Sequence, residues 1–519
     1  MKGLILKNSV MKPFAFYLLF CVIIHLLVIE NFQLLISDDI PYLNVGYFIT
    51  LPYGETYIGP IYPFYLKLYL QAFENPLDAF RYSFLGSLLL IFTFLYGLLF
   101  REKRNVSGLV MLGMYFILFN PAIYSIYPKI SFFCVVLLLG TQFLIRGRSW
   151  QTKWYILLNS SFLFAYSRPE FFLSFLLIGF IGIIFFLKNH LNWKLYVLNF
   201  GILLLSGLTL LGGVPLGNRA LDAFKQHFVL NYQKWNPHIK LSKYPRSEFD
   251  LFDKVYGKVN SFGEIFIQNP SYFFKHVFQN LLNIFDTAIH FWDSFYVYFI
   301  KLIGLPPYVY LILMLGVLSQ ISFPNTIQQV KKKWKGWTMD YMLPSLFIIF
   351  PTFISILFIY PREHYLIFHL YFIFGLLGLV CTSIEFKSKW VDPTLQIFVV
   401  AVFAIFIANP EKRNFGFSRE DDLTPVFNKV QAYAKENPKT YYCYNLFDRV
   451  FFNTYFQNKD TLNRTFDYVI KYQPDVLYFR KEDEKDYQKF VKLPIIKEYL
   501  VDSSFVHQNI FIFVKNNQF

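Results

Sequence analysis

The sequence predicts a polytopic α-helical membrane protein of about eleven transmembrane helices, with a small extracytoplasmic C-terminal α/β domain. Three observations carry this expectation. Apolar runs of about 18 or more residues recur from Phe14 to Ala408, the length a helix needs to cross a bilayer. Charge is sparse, at 16% of 519 residues against 55% hydrophobic, and the mean hydropathy is +0.38. The basic residues gather in alternate loops between the apolar runs, as the positive-inside rule requires. These loops hold Lys2, Lys7 and Lys12; Arg101, Lys103 and Arg104; Arg146, Arg148 and Lys153; Lys188 and Lys194; Lys331 to Lys335; and Lys387 and Lys389. Most of the net charge of +15 is thereby accounted for by topology, and a nucleic-acid partner is excluded.

Helix one is expected over Phe14–Ile36. Its basic start and long apolar core, with no small-residue cleavage site, read as a retained signal anchor. The N-terminus is then cytoplasmic. Residues 37–81 are too polar and Pro-rich to span and form an outer loop, with an interfacial amphipathic piece over Tyr62–Phe73. Further spans are expected at Tyr82–Phe100, Val106–Ala122, Ile130–Ile145, Trp154–Tyr166, Phe171–Leu187 and Leu195–Gly213. A long outer segment, residues 214–298, mixes charge with aromatics, and Pro270 suits the first turn of an amphipathic helix over Ser271–Phe285. The last spans are Leu302–Ile321, Met342–Tyr360, Leu366–Ile384 and Leu395–Ala408, with Lys331–Lys335 in a loop. Residues 1–408 therefore form the membrane domain, in a plasma (inner) membrane. Residues 409–519 form the outer domain, where the strand-like runs Thr440–Tyr444, Val476–Phe479 and Ile510–Val514 alternate with helix-like Leu423–Glu436 and Glu484–Val491. No phosphate loop or catalytic triad pattern occurs there, and it reads as a structural or acceptor-docking cap. The four cysteines imply neither a disulfide framework nor a metal site.

On the outer side, charge is concentrated at a few helix ends: Asp38 and Asp39 after helix one, Lys129, Arg168 and Glu170, and Arg362, Glu363 and His364. Charges beside apolar runs are expensive unless they pair or face a wet cavity. Basic groups can hold an anionic leaving group such as a lipid phosphate, and a carboxylate can take a proton from an attacking hydroxyl or amine. The plain alternatives are an N-cap for the Asp pair and interface anchors for Arg168, Arg362 and Lys129. His227, His238, His276 and His290 read as scattered surface histidines. Glu55 and Tyr57 lie within reach of an acceptor or shape the turn at Gly54.

The run SDDIPYLNVG followed by YGETYIGPIYPFYLKLYL resembles the first outer loop of the GT-C glycosyltransferases, most of all the protein mannosyltransferase and lipid A aminoarabinose transferase branch. SRPE and PREHYL are similar to the Arg-containing outer turns of those enzymes, and the tail domain is similar in placement. Specific motifs cover roughly sixty residues. The resemblance implies an inverting transferase that uses a polyprenyl-phosphate-linked sugar at the outer face, with a lipid, glycan or protein acceptor. Asp38 matches the catalytic carboxylate of the acidic pair, and Asp39 its partner, usually a Glu. Arg362 and Tyr365 match lipid-phosphate contacts, with Arg168 and His364 beside them. Two departures stand out: no Lys precedes the prolines of Gly59-Pro60-Ile61-Tyr62-Pro63, and Glu363 and His364 split the Arg–Tyr pair. Some superfamily members hold a divalent cation at such a pair, but Asp38 and Asp39 alone are a thin oxygen set for one. The rival readings are an envelope polysaccharide polymerase or ligase, and a lipid-linked sugar transporter or flippase. A transporter is expected to show internal repeats or broken midplane helices, and the sequence has neither.

Overall fold

The computed structural model describes residues 2–35, 39–54, 58–73, 75–100, 127–215, 219–238, 247–303, 306–409, 424, 428, 441–443, 476–480, 499–501 and 510–515. The chain divides into two compact units. The first comprises residues 1–31, 50–61 and 84–417, and the second residues 32–49, 62–83 and 418–519.

The first unit is a helical bundle. Its helices are α1 (Lys2–Asn31), the greater part of α4 (Pro76–Phe100), α5 (Lys129–Ile145), α6 (Trp150–Ala165), α7 (Phe172–Lys188) and α8 (Trp193–Leu210). Four helices come next: α9 (Arg219–Trp235), α10 (Ser247–Tyr256), α11 (Phe262–Gln268) and the long α12 (Pro270–Ile303). The bundle closes with α13 (Pro307–Ser319), α14 (Phe323–Trp337), α15 (Leu343–Phe358), α16 (Glu363–Cys381) and α17 (Val391–Ala408). Between them, α2 (Ile40–Phe48) and α3 (Ile61–Ala72) belong largely to the second unit.

Six helices among the described residues are long and apolar enough to cross a bilayer. Their outer faces agree. Along α7, Leu173, Leu177, Phe180, Ile184 and Leu187 are exposed at alternating steps of four and three, while Phe172, Phe175, Ile178 and Phe186 are buried. Such a continuous exposed stripe is incompatible with water and is what a helix facing lipid presents. The chain is therefore a polytopic α-helical membrane protein. Close helix contact comes from small residues. A Cβ on Gly179 would lie within 2.6 Å of the Phe200 ring, and Tyr196, whose hydroxyl donates to Ile178 O at 3.0 Å, fills the space over Gly182.

Each expected span except Val106–Ala122, which lies outside the described residues, carries a helix. Most boundaries shift by a few residues, and three differences bear on the fold. Helix α1 ends at Asn31, before Ile36. Helix α12 starts at Pro270 as expected but runs on to Ile303, through residues expected as loop and span start. Lys331–Lys335 is not a loop. It lies within α14, which continues through a π-helical turn, Thr338–Met342, into α15.

The basic residues collect at one end of this bundle. Lys153 pairs with Asp340, Arg146 stands 5.7 Å over the Trp337 ring, Lys333 Nζ donates to Thr382 O at 3.0 Å, and Lys387 Nζ to Ser319 O at 2.8 Å. The turns that carry Arg168 and Arg362 lie at the opposite ends of the same helices.

In the second unit, α2 packs on α3 at Gly46, where a Cβ would meet Leu66 and Pro63 O at 3.2 Å. Lys67 Nζ donates to Ile49 O, the carbonyl that ends α2, at 2.7 Å, and Tyr65 Oη donates to Ser83 O at 2.8 Å. The Tyr42 and Tyr62 rings meet edge to face at 5.4 Å. The tail contributes a four-stranded sheet of order β1-β2-β4-β3: β1 Tyr441–Cys443, β2 Val476–Arg480, β3 Tyr499–Val501 and β4 Ile510–Lys515. β1 runs parallel to β2, whereas β4 is antiparallel to both β2 (Tyr478 opposite Ile512) and β3 (Leu500 opposite Val514). A parallel neighbour in sequence needs a crossover rather than a hairpin. The stretches expected to be helical there fall almost wholly outside the described residues. Thr424 joins the tail to the segment after α1 by accepting the Leu34 N–H at 3.0 Å.

Candidate functional site

The site in the first unit is built on the turn Ser167-Arg168-Pro169-Glu170. α6 ends at Ala165, and Tyr166, wholly buried, anchors the start of this turn by donating from its hydroxyl to Gly213 O at 3.0 Å. Pro60 and its neighbours lie along the same stretch. Ile61 N donates to Tyr166 O at 3.0 Å, and a Cβ on Gly59 would come within 2.8 Å of Ser167 O and closer still to Tyr166 O. Two motifs far apart in sequence, Gly59-Pro60-Ile61 and SRPE, are thus one structural feature. Arg168 sits in extended backbone, and Pro169 opens a single 3-10 turn, Pro169–Phe171, before α7.

Arg168 is 7% exposed. Its Nη2 pairs with Glu170 Oε1 at 2.6 Å and its Nη1 reaches Ser131 Oγ at 3.4 Å. The guanidinium carbon lies 5.5 Å from the Tyr365 ring centroid and 5.6 Å from that of Phe368. One carboxylate and two aromatic faces therefore hold the charge in place, the arrangement in which a planar guanidinium is best stabilised. Tyr365 is the hub of the cluster. The His364 ring is 4.1 Å from it and the His227 ring 6.2 Å, while Tyr127 faces His364 at 6.5 Å. Arg362 precedes the first residue of α16, is exposed, and accepts the Tyr365 N–H on its carbonyl at 3.0 Å.

A cavity of about 270 Å³ opens beside this cluster. Arg168, Glu170 and Tyr365 line one side, and Pro351, Ile354 and Ile359 of the α15 end line the other. Pro351 lies inside α15, where it removes a backbone N–H, and the hydroxyls of Thr352 and Ser355 bond back to the carbonyls of Ile349 (2.6 Å) and Pro351 (3.0 Å). The lining is amphiphilic: Arg168 and Glu170 are charged and Tyr365 aromatic, and Pro351, Ile354 and Ile359 are apolar.

The structure brings Arg168 and His364 each against Tyr365, with Arg362 at the start of the same turn. Asp39 belongs to the second unit. It is 1% exposed, and although it precedes α2 its side chain does not cap that helix. Its Oδ2 instead accepts the Leu35 N–H at 3.1 Å, so the N-cap expectation is replaced by a backward turn-closing bond. Asp38, Glu55 and Tyr57 lie outside the described residues.

Three further expectations are corrected. Lys129 is 1% exposed with its ammonium 5.8 Å over Phe84, so it is buried rather than an interface anchor. His227 and His276 are buried at 3% and 0% exposure. Burial, with Arg362 and His276 nearby adding, pushes the His227 pKa down to about 3, so the ring is neutral at ordinary pH, and its Nδ1 has no hydrogen-bond partner among the described residues. A signal for this was present. Phe224, His227, Phe228 and Asn231 recur at three- and four-residue steps, which puts the histidine on the apolar face of an amphipathic helix. Ser131 and Phe368 carried no comparable signal, since each is an ordinary residue within an apolar run.

No family model matches the chain, and neither a curated protein nor a solved structure does.

Proposed function

We propose that the protein is a membrane glycosyltransferase of the GT-C type, which takes a sugar from a polyprenyl-phosphate donor. The observation that carries this reading is the amphiphilic cavity, lined both by Arg168 and Tyr365 and by apolar residues at the end of α15. A polyprenyl phosphate has the same division, a compact anion on a long apolar chain. Its phosphate needs only charge stabilisation to leave, which guanidinium groups provide. In this reading Arg168 and Arg362 stabilise the departing phosphate, and His364 and Tyr365 border it.

The acceptor hydroxyl or amine attacks the anomeric carbon and forms the new glycosidic bond. The bond from that carbon to the phosphate oxygen breaks, and the bonding pair leaves with the polyprenyl phosphate. The Asp38 carboxylate takes the acceptor's proton, and Asp39 holds the turn that presents it. Attack opposite the leaving group inverts the anomeric centre. The N-terminus is cytoplasmic in this reading, about eleven helices span the membrane, and the tail forms an extracytoplasmic α/β domain.

The test is transfer by the purified, reconstituted protein from a panel of polyprenyl-phosphate sugars, with release of polyprenyl phosphate as the readout. One donor is expected to be consumed, and Asp38→Asn is expected to abolish consumption while the protein stays folded and inserted. Full activity in Asp38→Asn overturns the assignment of the base. Movement of the intact donor across the bilayer, with no sugar–phosphate bond broken, would identify a flippase instead.

A further inference from the structure

The basic end of the bundle carries a feature that catalysis at the opposite end does not use. Helix α14 divides into three lengthwise faces. One is buried, where Thr326 and Trp337 pack inward and Lys333 Nζ reaches across to Thr382 O at 3.0 Å. The next carries Phe323, Ile327, Val330 and Trp334 at steps of four, three and four, one continuous stripe of an α-helix. Phe323, Ile327 and Trp334 are 57%, 52% and 46% exposed. Lys331 and Lys335 flank that stripe, with Lys332 further round, and all three are exposed. Among the described residues, no carboxylate pairs with any of these three lysines. Two acids at this end of the bundle are already engaged: Asp340 by Lys153 and the Gly147 N–H, and Glu385 by Gln329 at 3.0 Å. The helix itself contains no acidic residue.

We propose that α14 is a binding site for acidic phospholipid. The apolar stripe seats among acyl chains and the adjoining lysines hold anionic phosphodiester headgroups. The position of the helix supports that occupant. α14 runs without a break through the π-helical turn into α15, and the stretch Phe323–Phe358 is one of the membrane-crossing candidates, so its exposed stripe starts where a span begins. Arg146 over Trp337 and the Lys153–Asp340 pair fix the turn against α5 and α6, and so hold α14 to the bundle. An apolar stripe beside an unneutralised lysine row, at bilayer-surface depth, matches an anionic surface and mismatches a zwitterionic one. Each such lysine favours the anionic lipid about fivefold.

The test uses the full-length protein in nanodiscs that contain brominated phosphatidylglycerol or brominated phosphatidylcholine at equal fraction. Emission from residue 334 is isolated by difference from Trp334→Phe. Stronger quenching by the brominated phosphatidylglycerol is expected, with the preference removed by the triple variant Lys331→Gln, Lys332→Gln, Lys335→Gln and weakened by high salt. Gln keeps the helix propensity of Lys and the sites are exposed, so the triple variant is expected to unfold at the wild-type temperature. Lys188→Gln with Lys194→Gln is the control for diffuse positive charge and is expected to leave the preference intact. Equal quenching by the two lipids in the wild type overturns the proposal. So does a preference that survives the triple variant, or one lost equally in the control. Quenching by neither lipid would place α14 in water and overturn it as well. None of these readouts depends on transferase activity.

Discussion

A side chain at residue 59 has nowhere to go. Its Cβ would press on the backbone oxygens of Tyr166 and Ser167, and backbone cannot rotate aside as a flexible side chain does. Gly59→Ala is therefore expected to destabilise the protein by about 1–3 kcal/mol, as overpacking does. Gly54→Ala, where nothing among the described residues lies within 4 Å, is the matched control and is expected to be silent. Equal unfolding temperatures for the two variants would show that residues 59 and 166–167 do not touch. The sequence marked Gly59-Pro60 and SRPE separately, each by its residue types. It had no means of showing that they meet, because the contact runs through backbone atoms that every residue possesses. Asp39 shows the same limit. An Asp before a Pro-containing helix start looks like a cap. Only the backbone path settles that its carboxylate accepts from Leu35, four residues back, rather than from its own helix.

Helices α9 and α12 join through an amide–histidine ladder, and a second prediction belongs to that pair. Asn231 Nδ2 donates to Asn280 Oδ1 at 2.7 Å and stands 3.0 Å from His276 Nδ1, and Asn283 Nδ2 returns to Asn231 Oδ1 at 2.9 Å. The ladder ends on α15, where His276 Nε2 lies 3.0 Å from Phe358 O and Asn280 Nδ2 donates to Leu357 O at 2.9 Å. Thr287 Oγ1 donates to Pro361 O at 2.9 Å, so α12 also holds the turn that carries Arg362. Burial pushes the His276 pKa down to about 4 from 6.5. The native state thus refuses a proton that the unfolded chain accepts, and stability is full above about pH 6.5 and falls towards pH 4. The loss is about 2–3 kcal/mol from this group, with His227 adding in the same direction. Unfolding temperatures between pH 7.5 and 4.5 should fall accordingly, and His276→Gln should flatten the fall although it is less stable at pH 7.5. An unchanged slope in that variant would remove His276 from the acid response. The pattern of α9 and α12 was legible as amphipathic helix, and Pro270 did mark a start. The basic run at 331–335 masks the same periodicity in α14, because dense charge looks like a loop and hides the helical spacing of Phe323, Ile327, Val330 and Trp334.

At the scale of the whole chain, hydropathy gave a helix at every expected span among the described residues, since span length and apolar content are local properties. Grouping is not local. Residues 32–49 and 62–83 belong to one compact unit with the tail, residues 418–519, and the Leu34–Thr424 hydrogen bond is one of the links inside it. A boundary at residue 409 follows composition, whereas the packing unit reaches back to the segment right after α1. The two divisions predict different behaviour for a chain that ends at residue 417. If the tail is an independent cap, α2 and α3 keep their amide protection when it is removed. If the unit is as compact as its packing, they lose a partner, and backbone amides over 40–48 and 61–72 exchange faster while those of α5, α7 and α8 do not. The second outcome is expected. Thr424→Val, which keeps shape and deletes the oxygen that Leu34 N–H donates to, should raise exchange at Leu34 in the full-length chain, by about the worth of one buried hydrogen bond, 1–3 kcal/mol. Protection at residues 34–48 that is the same in all three proteins would show that the tail does not stabilise the turn around Asp39. A measured loss would mean that the tail helps hold in place the segment proposed to carry the catalytic base.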